Sequence, residues 1–336
     1  MYLVGDIGGT KTNIVALEGN GRYKTIFEKT FQSKEYDSLR TIVKQIIDEK
    51  GFKITGACFG VAGPVKNGRC EATNLPWIID AKKIAEILKI NEHLVYLLND
   101  LEAAAYGIDA LEEKDFYILN KGNPQKHGTK CLVSAGTGLG ESIIVWDGKK
   151  YKPIPSEGGH TDFAPRTKTE IDLLNHLINK YGRVSYERIL CGPGLVNVYE
   201  FFKETAYQDI SAWLLERIKS EDPSAVISEI GMSKKDECCE KTLDLFVSIY
   251  GAEAGNLALK ALATGGVYVG GGIAPKIIEK IKEGAFMQSF TNKGRLSIMV
   301  AQMPVKVILN PKHPLLGCAN FLNMKLKDNL EMASLK

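Results

Sequence analysis

The chain has 336 residues, a length typical of about two domains, and its 44% hydrophobic and 25% charged residues exclude wholesale disorder. With 43 basic and 40 acidic residues the formal charge is only +3, which gives no electropositive footprint for nucleic acid or an anionic membrane. Seven cysteines without a C-x-x-C pair disfavour a disulfide-stapled or four-cysteine zinc fold, and with no signal-peptide pattern they predict a cytoplasmic protein.

The first third of the chain alternates between predicted strands and helices. Residues 2–5 and 13–17 are apolar, β-rich runs on either side of a Gly8-Gly9 pair, which predicts a hairpin with a broad turn. An apolar residue recurs with helical spacing between positions 39 and 47, and a second helix is predicted around residues 84–88. Strands are predicted at residues 56–61 and 95–98. This alternation is typical of an α/β domain with a mostly parallel sheet.

The opening pattern then returns, which suggests an internal duplication visible as architecture. A strand at residues 130–134, a glycine turn at 135–140 and a strand at 141–146 repeat the strand–turn–strand order. Helices are predicted at 169–181, with an apolar face formed by Ile171, Leu174, Leu177 and Ile178, and at 241–262. A strand at 266–269 runs into Gly270 and Gly271, and a last strand at 305–309 precedes a closing helix at 315–326. The charged stretch at 233–241, with Cys238 and Cys239, is predicted to be a solvated surface turn.

Neither glycine loop fits the two common nucleotide-binding motifs. Thr10 stands where a P-loop needs glycine, and Glu141 stands where the Rossmann fingerprint needs its last glycine. Both loops are also followed by a strand, whereas those motifs open a helix. We therefore expect hairpin turns whose backbone N–H groups and the hydroxyls of Thr10, Thr12 and Thr137 bind phosphate, the alternative being two structural hairpins.

Five motifs, in order, resemble those of the bacterial-type glucokinases of the sugar-kinase/actin superfamily. They are Asp6-Ile7-Gly8-Gly9-Thr10-Lys11, Leu98-Asn99-Asp100, Ser134-Ala135-Gly136-Thr137-Gly138-Leu139-Gly140, Glu157-Gly158-Gly159-His160 and Gly266-Val267-Tyr268-Val269-Gly270-Gly271-Gly272-Ile273. The cysteine-rich zinc motif of the related repressor/ORF/kinase family is missing, which favours the zinc-free branch. The resemblance implies an α/β fold of two ribonuclease-H-like (actin-like ATPase) domains around a cleft. We expect a small domain of residues 1–110 plus 303–330, including the last strand and closing helix, and a large domain of residues 111–302.

The resemblance also implies roles for individual residues. Asp100 would be the general base, and it would bind the sugar together with Asn99, Glu157, His160, Glu187, Asn74 and Gly63. The ATP-binding residues would be Asp6, Ile7, Gly8, Gly9, Thr10, Lys11, Thr12, Gly136, Thr137, Gly138, Gly270 and Gly271, with Asp6 holding Mg²⁺ through water. No zinc is expected.

The residues themselves leave several alternatives open. Asp100 follows a strand and precedes a helix, so it could simply be an N-cap. Glu187 could be a first-turn acid of a short helix capped by Ser185. The pair Glu157 and His160 could form a structural hydrogen bond or half a metal site. Trp77 could be a core residue or a platform for the sugar.

The predicted function is ATP-dependent, Mg²⁺-assisted phosphorylation of D-glucose to glucose 6-phosphate. The alternatives are a kinase of another hexose, such as fructose, mannose or an N-acyl amino sugar, and a non-catalytic sugar sensor. The expected partners are a small-molecule sugar and ATP, with no nucleic acid or membrane, and the family implies a possible homodimer.

Overall fold

Mixed β-sheets flanked by helices make up the computed structural model, which describes residues 1–19, 23–73, 75–206 and 209–334. The strands are β1 (Tyr2–Ile7), β2 (Lys11–Glu18), β3 (Lys24–Gln32), β4 (Gly56–Val61), β5 (Val65–Lys66), β6 (Arg69–Glu71), β7 (Ile78–Asp80), β8 (Val95–Asn99), β9 (Phe116–Asn120), β10 (Lys130–Ala135), β11 (Leu139–Trp146), β12 (Tyr151–Ile154), β13 (Gly266–Gly270) and β14 (Val305–Ile308). The helices are α1 (Leu39–Lys50), α2 (Ala81–Leu88), α3 (Asp100–Gly107), α4 (Lys168–Tyr181), α5 (Gly192–Thr205), α6 (Ala212–Ser220), α7 (Pro223–Met232), α8 (Glu237–Ala261), α9 (Ile278–Lys282), α10 (Ala285–Thr291), α11 (Ser297–Ala301) and α12 (His313–Ser334).

The first of two compact units consists of Met1–Glu112 and the C-terminal segment from Lys312. Its main sheet has the order β3-β2-β1-β4-β8, with β1 to β3 antiparallel and β1, β4 and β8 parallel. Successive residues of β1 point to opposite faces, so Leu3 packs in the core with α1 and α2, and Val4 packs with α3 and α12. Both faces of the parallel strands are therefore covered, as such strands require.

Helix α1 illustrates how the local sequence sets an element of this unit. The Ser38 side chain accepts a hydrogen bond from the Thr41 N–H, and Gly51 ends the helix in the left-handed conformation. Between these caps the apolar stripe predicted from the sequence faces the core, with Leu39 and Ile42 buried. The prediction of this helix is confirmed.

The second unit, Glu113–Pro311, repeats the topology of the first. Its sheet has the order β12-β11-β10-β13-β14-β9, in which β10 to β12 are antiparallel and β10, β13 and β14 are parallel. Apart from the antiparallel edge strand β9, both sheets place their strands in the order third, second, first, fourth, fifth. This is the ribonuclease-H-like arrangement, so the predicted fold class and the repeated architecture are confirmed.

The last strand does not join the first unit, contrary to the expected domain layout. Val305 of β14 pairs in parallel with Val267 of β13, inside the second sheet. Only the closing helix α12 returns to the first unit, where Gly317 packs so tightly on α3 that a Cβ would lie within contact distance of the Ala103 backbone. Backbone pairing, and not position in the chain, decides where β14 belongs.

The apolar face predicted for α4 is wrong. In α4 the buried face includes Glu170, Leu173 and Leu177, whereas Ile171 and Ile178 are 45% and 42% exposed. Glu170 lies on this face beside Leu173 and Leu177, and its carboxylate forms an ion pair with Arg166, so its charge is not buried without a partner.

The segment predicted to be a surface turn instead begins the long helix α8. The Asp236 side chain accepts a hydrogen bond from the Cys239 N–H and caps the helix, and Cys238 and Cys239 are buried in the core. All seven cysteines are buried free thiols. None of the helices in the described parts of the chain is long and apolar enough to cross a membrane.

Candidate functional site

The first glycine loop is the turn of the β1–β2 hairpin, as predicted. The Gly8 N–H donates to the Lys11 carbonyl at 3.0 Å, and Thr10 and Lys11 are exposed at the tip. Ser33, the residue directly after β3, supports this turn, because its N–H donates to the Thr10 carbonyl and its hydroxyl to the Gly8 carbonyl. No motif in the sequence predicted this contact between Ser33 and the turn.

Thr12 does not present its hydroxyl to a ligand. The side chain is fully buried, and its Oγ1 lies 3.0 Å from the Ser33 hydroxyl. The expectation that the Thr12 hydroxyl binds phosphate is therefore wrong, because burial keeps it on the core side of β2. Ile7 is likewise buried in the core, so only its backbone can face a nucleotide.

Two carboxylates lie close together at the carboxyl ends of β1 and β8. Burial and the nearby Asp100 carboxylate raise the pKa of Asp6 to about 6, and a hydrogen bond from Asn13 acts in the opposite direction. The strands β1, β4 and β8 are parallel neighbours, which brings residues 6 and 100 to the same edge of the sheet. Ligands of open α/β sheets bind at this edge.

Asp100 is the first residue of α3 and is not its N-cap. The Asn99 side chain caps the helix by accepting a hydrogen bond from the Leu101 N–H at 3.0 Å, and the Asp100 Oδ1 lies 2.9 Å from the same nitrogen. Asp100 itself is exposed. The N-cap interpretation of Asp100 is thus wrong, and its carboxylate is oriented by the start of the helix.

Asn99 also forms a hydrogen bond to Gly63, another residue predicted to bind the sugar. Its Nδ2 donates to the Gly63 carbonyl at 3.2 Å, so these two residues are neighbours, as predicted. Asn74 lies outside the described residues. Trp77 is 2% exposed and its Nε1 donates to the Tyr36 carbonyl at 3.1 Å, which makes it a core residue and not a sugar platform.

The second glycine loop joins β10 to β11 and lies against the Gly270 turn. The Gly136 N–H donates to the Gly138 carbonyl, and the Gly136 carbonyl accepts from Gly192 at the start of α5. Gly271 has a φ of +82°, and a Cβ there would lie 2.2 Å from the Ala135 carbonyl oxygen. Only glycine fits this close approach of the two turns.

Glu157, His160 and Glu187 come together in the second unit, although they lie in two separate segments. The His160 Nε2 is 4.0 Å from Glu157 Oε2, and its Nδ1 is 3.8 Å from Glu187 Oε1. Backbone hydrogen bonds from Tyr186 to Thr161 and from Phe163 to Val184 hold the two segments side by side. The three side chains offer carboxylate oxygens and an imidazole, which suit adjacent sugar hydroxyls.

Glu187 connects this cluster of three side chains (Glu157, His160 and Glu187) to the second glycine loop. Its Oε2 accepts a hydrogen bond from the Leu139 N–H at 2.9 Å, and a Cβ on Gly138 would lie 2.6 Å from the same oxygen. Glu187 lies in a single 3-10 turn, Tyr186–Arg188, where the Ser185 side chain makes no capping bond. The predicted cap is therefore wrong, and the Leu139 N–H holds the carboxylate instead.

A cavity of about 540 Å³ opens beside these turns and was not predicted. Ile273, whose N–H donates to the Ala135 carbonyl, lies at its edge, and Ser224 lies near Gly192. The lining residues are Leu195, Asp222, Ser224, Ala225, Ser228, Glu229, Met232, Ser233, Ile273, Lys276 and Ile277. Apolar side chains such as Leu195, Met232 and Ile277 line it together with polar and charged ones, a combination that suits a small-molecule site.

The acidic residues of the first unit fit a hydrated divalent cation better than a dehydrated one. Among the described residues, no three His, Cys, Asp or Glu side chains gather as a metal site. Mg²⁺ commonly keeps several waters and uses one or two carboxylates together with substrate phosphates. Asp6, with Asp100 beside it, provides such a pair of carboxylates.

The chain is similar to known proteins over nearly its whole length. The family model described as Glucokinase matches residues 3–325. A glucokinase of Nostoc punctiforme is 39% identical over 335 residues, which cover 95% of this chain and 98% of that protein. The crystal structure of a glucokinase from an Antarctic psychrotroph has a TM-score of 0.82 at 29% identity, with 96% of this chain and 98% of that one covered. A glucokinase from Balamuthia mandrillaris, solved in complex with glucose, has the same fold with a TM-score of 0.75 at 19% identity, covering 96% and 93% of the two chains.

Proposed function

The chain belongs to the glucokinase family, and from that premise we propose that it transfers the γ-phosphoryl group of ATP to the 6-hydroxyl of D-glucose. It is a hexose kinase with ATP and a small-molecule sugar as substrates. The observation that carries the proposed chemistry is the exposed Asp100 carboxylate at the end of β8, beside Asp6.

Asp100 is proposed to be the general base. Its carboxylate accepts the proton of the sugar 6-hydroxyl while that oxygen attacks the γ-phosphorus, and ADP leaves with the electrons of the broken P–O bond. The Leu101 N–H holds one carboxylate oxygen, which fixes the direction of the other. A single oriented carboxylate is sufficient, because phosphoryl transfer depends mainly on positioning and on stabilising the phosphate charge.

The remaining predicted residues hold the substrates. Glu157, His160 and Glu187 bind sugar hydroxyls, as do Asn99 and the Gly63 carbonyl. The backbone N–H groups of the two glycine loops and the exposed hydroxyls of Thr10 and Thr137 bind the ATP phosphates. The cavity beside Ile273 accepts the adenosine. Asp6 holds Mg²⁺ through water, and that ion supplies neutralisation of the phosphate charge when it is bound.

An Asp100→Asn variant tests this function. The change keeps the shape and removes the base, so kcat should fall by about 10²–10⁴-fold while the glucose KM stays within a few-fold. Asp48→Asn, at an exposed position of α1, is the matched control and should retain the wild-type rate.

The assay is coupled ADP release with glucose, fructose, mannose and an N-acyl amino sugar. An Asp100→Asn enzyme that keeps most of its turnover would refute the base. A wild-type enzyme faster with another hexose, or one that binds ATP and glucose by calorimetry without releasing ADP, would refute the function itself.

We also predict a homodimer in the reducing cytoplasm that binds neither nucleic acid nor membrane. The seven free, buried thiols fit a reducing compartment, and the near-neutral charge fits the expected partners. Light scattering of the purified chain and cell fractionation test these points. A monomer at micromolar concentration would contradict the first.

A further inference from the structure

A buried glutamate lies directly under the turn that carries His160. Glu141 belongs to β11 and its side chain is 1% exposed. The turn Gly158–His160 packs flat on this strand: a Cβ on Gly158 would lie 2.3 Å from Glu141 Oε2, and one on Gly159 would lie 2.0 Å from the Leu139 carbonyl oxygen. The position of the His160 turn therefore depends on where the Glu141 carboxyl lies.

Glu141 is paired with a second buried acid, Glu253 of α8, which is fully buried. Burial and the nearby Glu253 carboxylate raise the pKa of Glu141 above its ordinary value. Because burial and a neighbouring carboxylate both disfavour the charged form, a proton on Glu141 is favoured. Oε1 of Glu141 is buried without a donor among the described residues, which also disfavours a charge there.

The same acid pair reaches the segment that carries Glu187. Burial and the nearby Glu253 carboxylate raise the pKa of the hydroxyl of Tyr186, the residue immediately before Glu187. The Asn256 Nδ2 donates to both groups, at 3.0 Å to the Tyr186 hydroxyl and 2.8 Å to Glu253 Oε2. One buried network thus supports the two segments whose side chains form the polar group around His160.

We propose that Glu141 is a positioning residue of the sugar site. In its protonated form Glu141 supports the Gly158–His160 turn that packs on it, and the network of Glu253 and Asn256 beside it supports the Tyr186–Glu187 segment, in the arrangement that binds sugar. This inference rests on the proposed function. It goes beyond that function in making sugar affinity depend on the proton of a residue that does not touch the sugar.

Loss of that proton sets the expected pH dependence. Burial and the Glu253 carboxylate raise the pKa of Glu141 to about 8, and Lys260 acts in the opposite direction. The titratable or charged groups that face the pair are Cys131 of β10, Tyr186, Tyr250 and Lys260 of α8, and Lys293. Above pH 8 two buried carboxylates repel each other, and the glycine turn packed on Glu141 is displaced.

The test is the glucose KM between pH 7 and 9.5 at saturating ATP, for the wild type and Glu141→Gln. If only the protonated form binds sugar, the wild-type glucose KM should be about tenfold higher at pH 9 than its low-pH limit. Glutamine has the same shape and a permanent N–H donor, so its KM should equal the wild-type value at pH 7 and stay flat. Glu141→Ala should raise the glucose KM at every pH while leaving the ATP KM within a few-fold.

Glu170→Gln is the matched control. Glu170 is an equally buried glutamate in the same unit, but it pairs with Arg166 and does not touch the His160 turn. Its variant should lose stability and keep the wild-type rise of KM with pH. A Glu141→Gln enzyme with the same alkaline rise as the wild type would overturn the proposal.

A second measurement does not depend on activity. The infrared C=O band of a protonated carboxyl group should be present in the wild type at pH 7, weaken above pH 9, and be missing in Glu141→Gln. If this band is missing from the wild type, the proton assigned to Glu141 is wrong even where no variant folds. Lack of glucose turnover by the wild type at pH 7 would instead refute the function while the band remained.

Discussion

Replacing Trp77 with phenylalanine separates the two roles that the sequence allowed for this residue. The indole is buried among Cys70, Ile79 and other core residues of the first unit, and its Nε1 donates to the Tyr36 carbonyl. Its backbone carbonyl also accepts from the Ala72 N–H, so it closes the short loop before β7. A core role predicts a loss of stability with little effect on sugar affinity.

The magnitude follows from these contacts. Phenylalanine removes the N–H and leaves the Tyr36 carbonyl without its donor, which costs about 1–2 kcal/mol. The space left by the smaller ring costs a further 1–2 kcal/mol or so, less than the roughly 3–5 kcal/mol of a full truncation to alanine. Together these lower the free energy of unfolding of the first unit by about 2–4 kcal/mol. At about 4 °C per kcal/mol for a unit of this size, its Tm should fall by roughly 10 °C.

Thermal unfolding and the glucose KM are measured for Trp77→Phe and for the matched control Trp213→Phe. Trp213 is 46% exposed, so the same substitution there should change the Tm by no more than about 2 °C. The glucose KM of Trp77→Phe should stay within about threefold of the wild type, because the indole does not reach the surface. A variant with unchanged Tm and a glucose KM raised tenfold or more would show that the ring serves as a sugar platform.

Three further changes test other parts of the structure. Gly271→Ala forces a left-handed φ and a collision with the Ala135 carbonyl, so the ATP KM should rise tenfold or more; Gly272→Ala, in open space, should not raise it. Glu187→Ala removes the acceptor of the Leu139 N–H, a hydrogen bond to a charged group worth about 1.5–3 kcal/mol, together with one of the proposed sugar ligands. We therefore expect a glucose KM at least tenfold higher, and an unchanged KM would contradict the role of Glu187 in binding sugar. The pKa of Glu141 is raised from 4.5 to about 8, so the folded protein holds an extra proton in that window. The free energy of unfolding should therefore fall there as pH rises, by up to about 1.4 kcal/mol per pH unit; in urea titrations Glu141→Gln should lack this fall, and an equal slope would argue against the shift.

Much of the fold could be predicted from local patterns. The helix at residues 39–50 has an N-cap serine, an apolar stripe and a C-terminal glycine, and all three signals lie within one segment. The prediction for α4 failed because its buried face includes Glu170. The burial of a charged residue can be predicted only when its partner, here Arg166, is known. Cys238 and Cys239 were predicted to lie in a surface turn because charged residues surround them in the sequence. They lie instead in the first turn of α8, and their side chains are buried.

The candidate site was predictable to the extent that its residues lie in short motifs. Asp6, Asn99 and Asp100 lie at the ends of strands whose carboxyl ends share one edge of a sheet, which the order of elements already implied. Thr12 was assigned wrongly because a hydroxyl at a turn looks the same whether it faces a ligand or Ser33. Glu141 was noted only as a mismatch to a glycine motif, and nothing near it in the sequence marks its pairing with Glu253.

The sequence by itself therefore determined most of the helices and strands and the two glycine hairpins, because backbone conformation follows largely from neighbouring residues. It also identified most of the polar side chains that gather around Asp100 and around His160. Only the tertiary structure decided that β14 joins the second sheet, that Trp77 lies in a core and that Glu187 holds the second glycine loop. It also placed the buried Glu141 carboxyl group, whose pKa is raised, against the turn that carries His160. Burial and pKa depend on groups that are far apart in the chain and meet only in the folded protein.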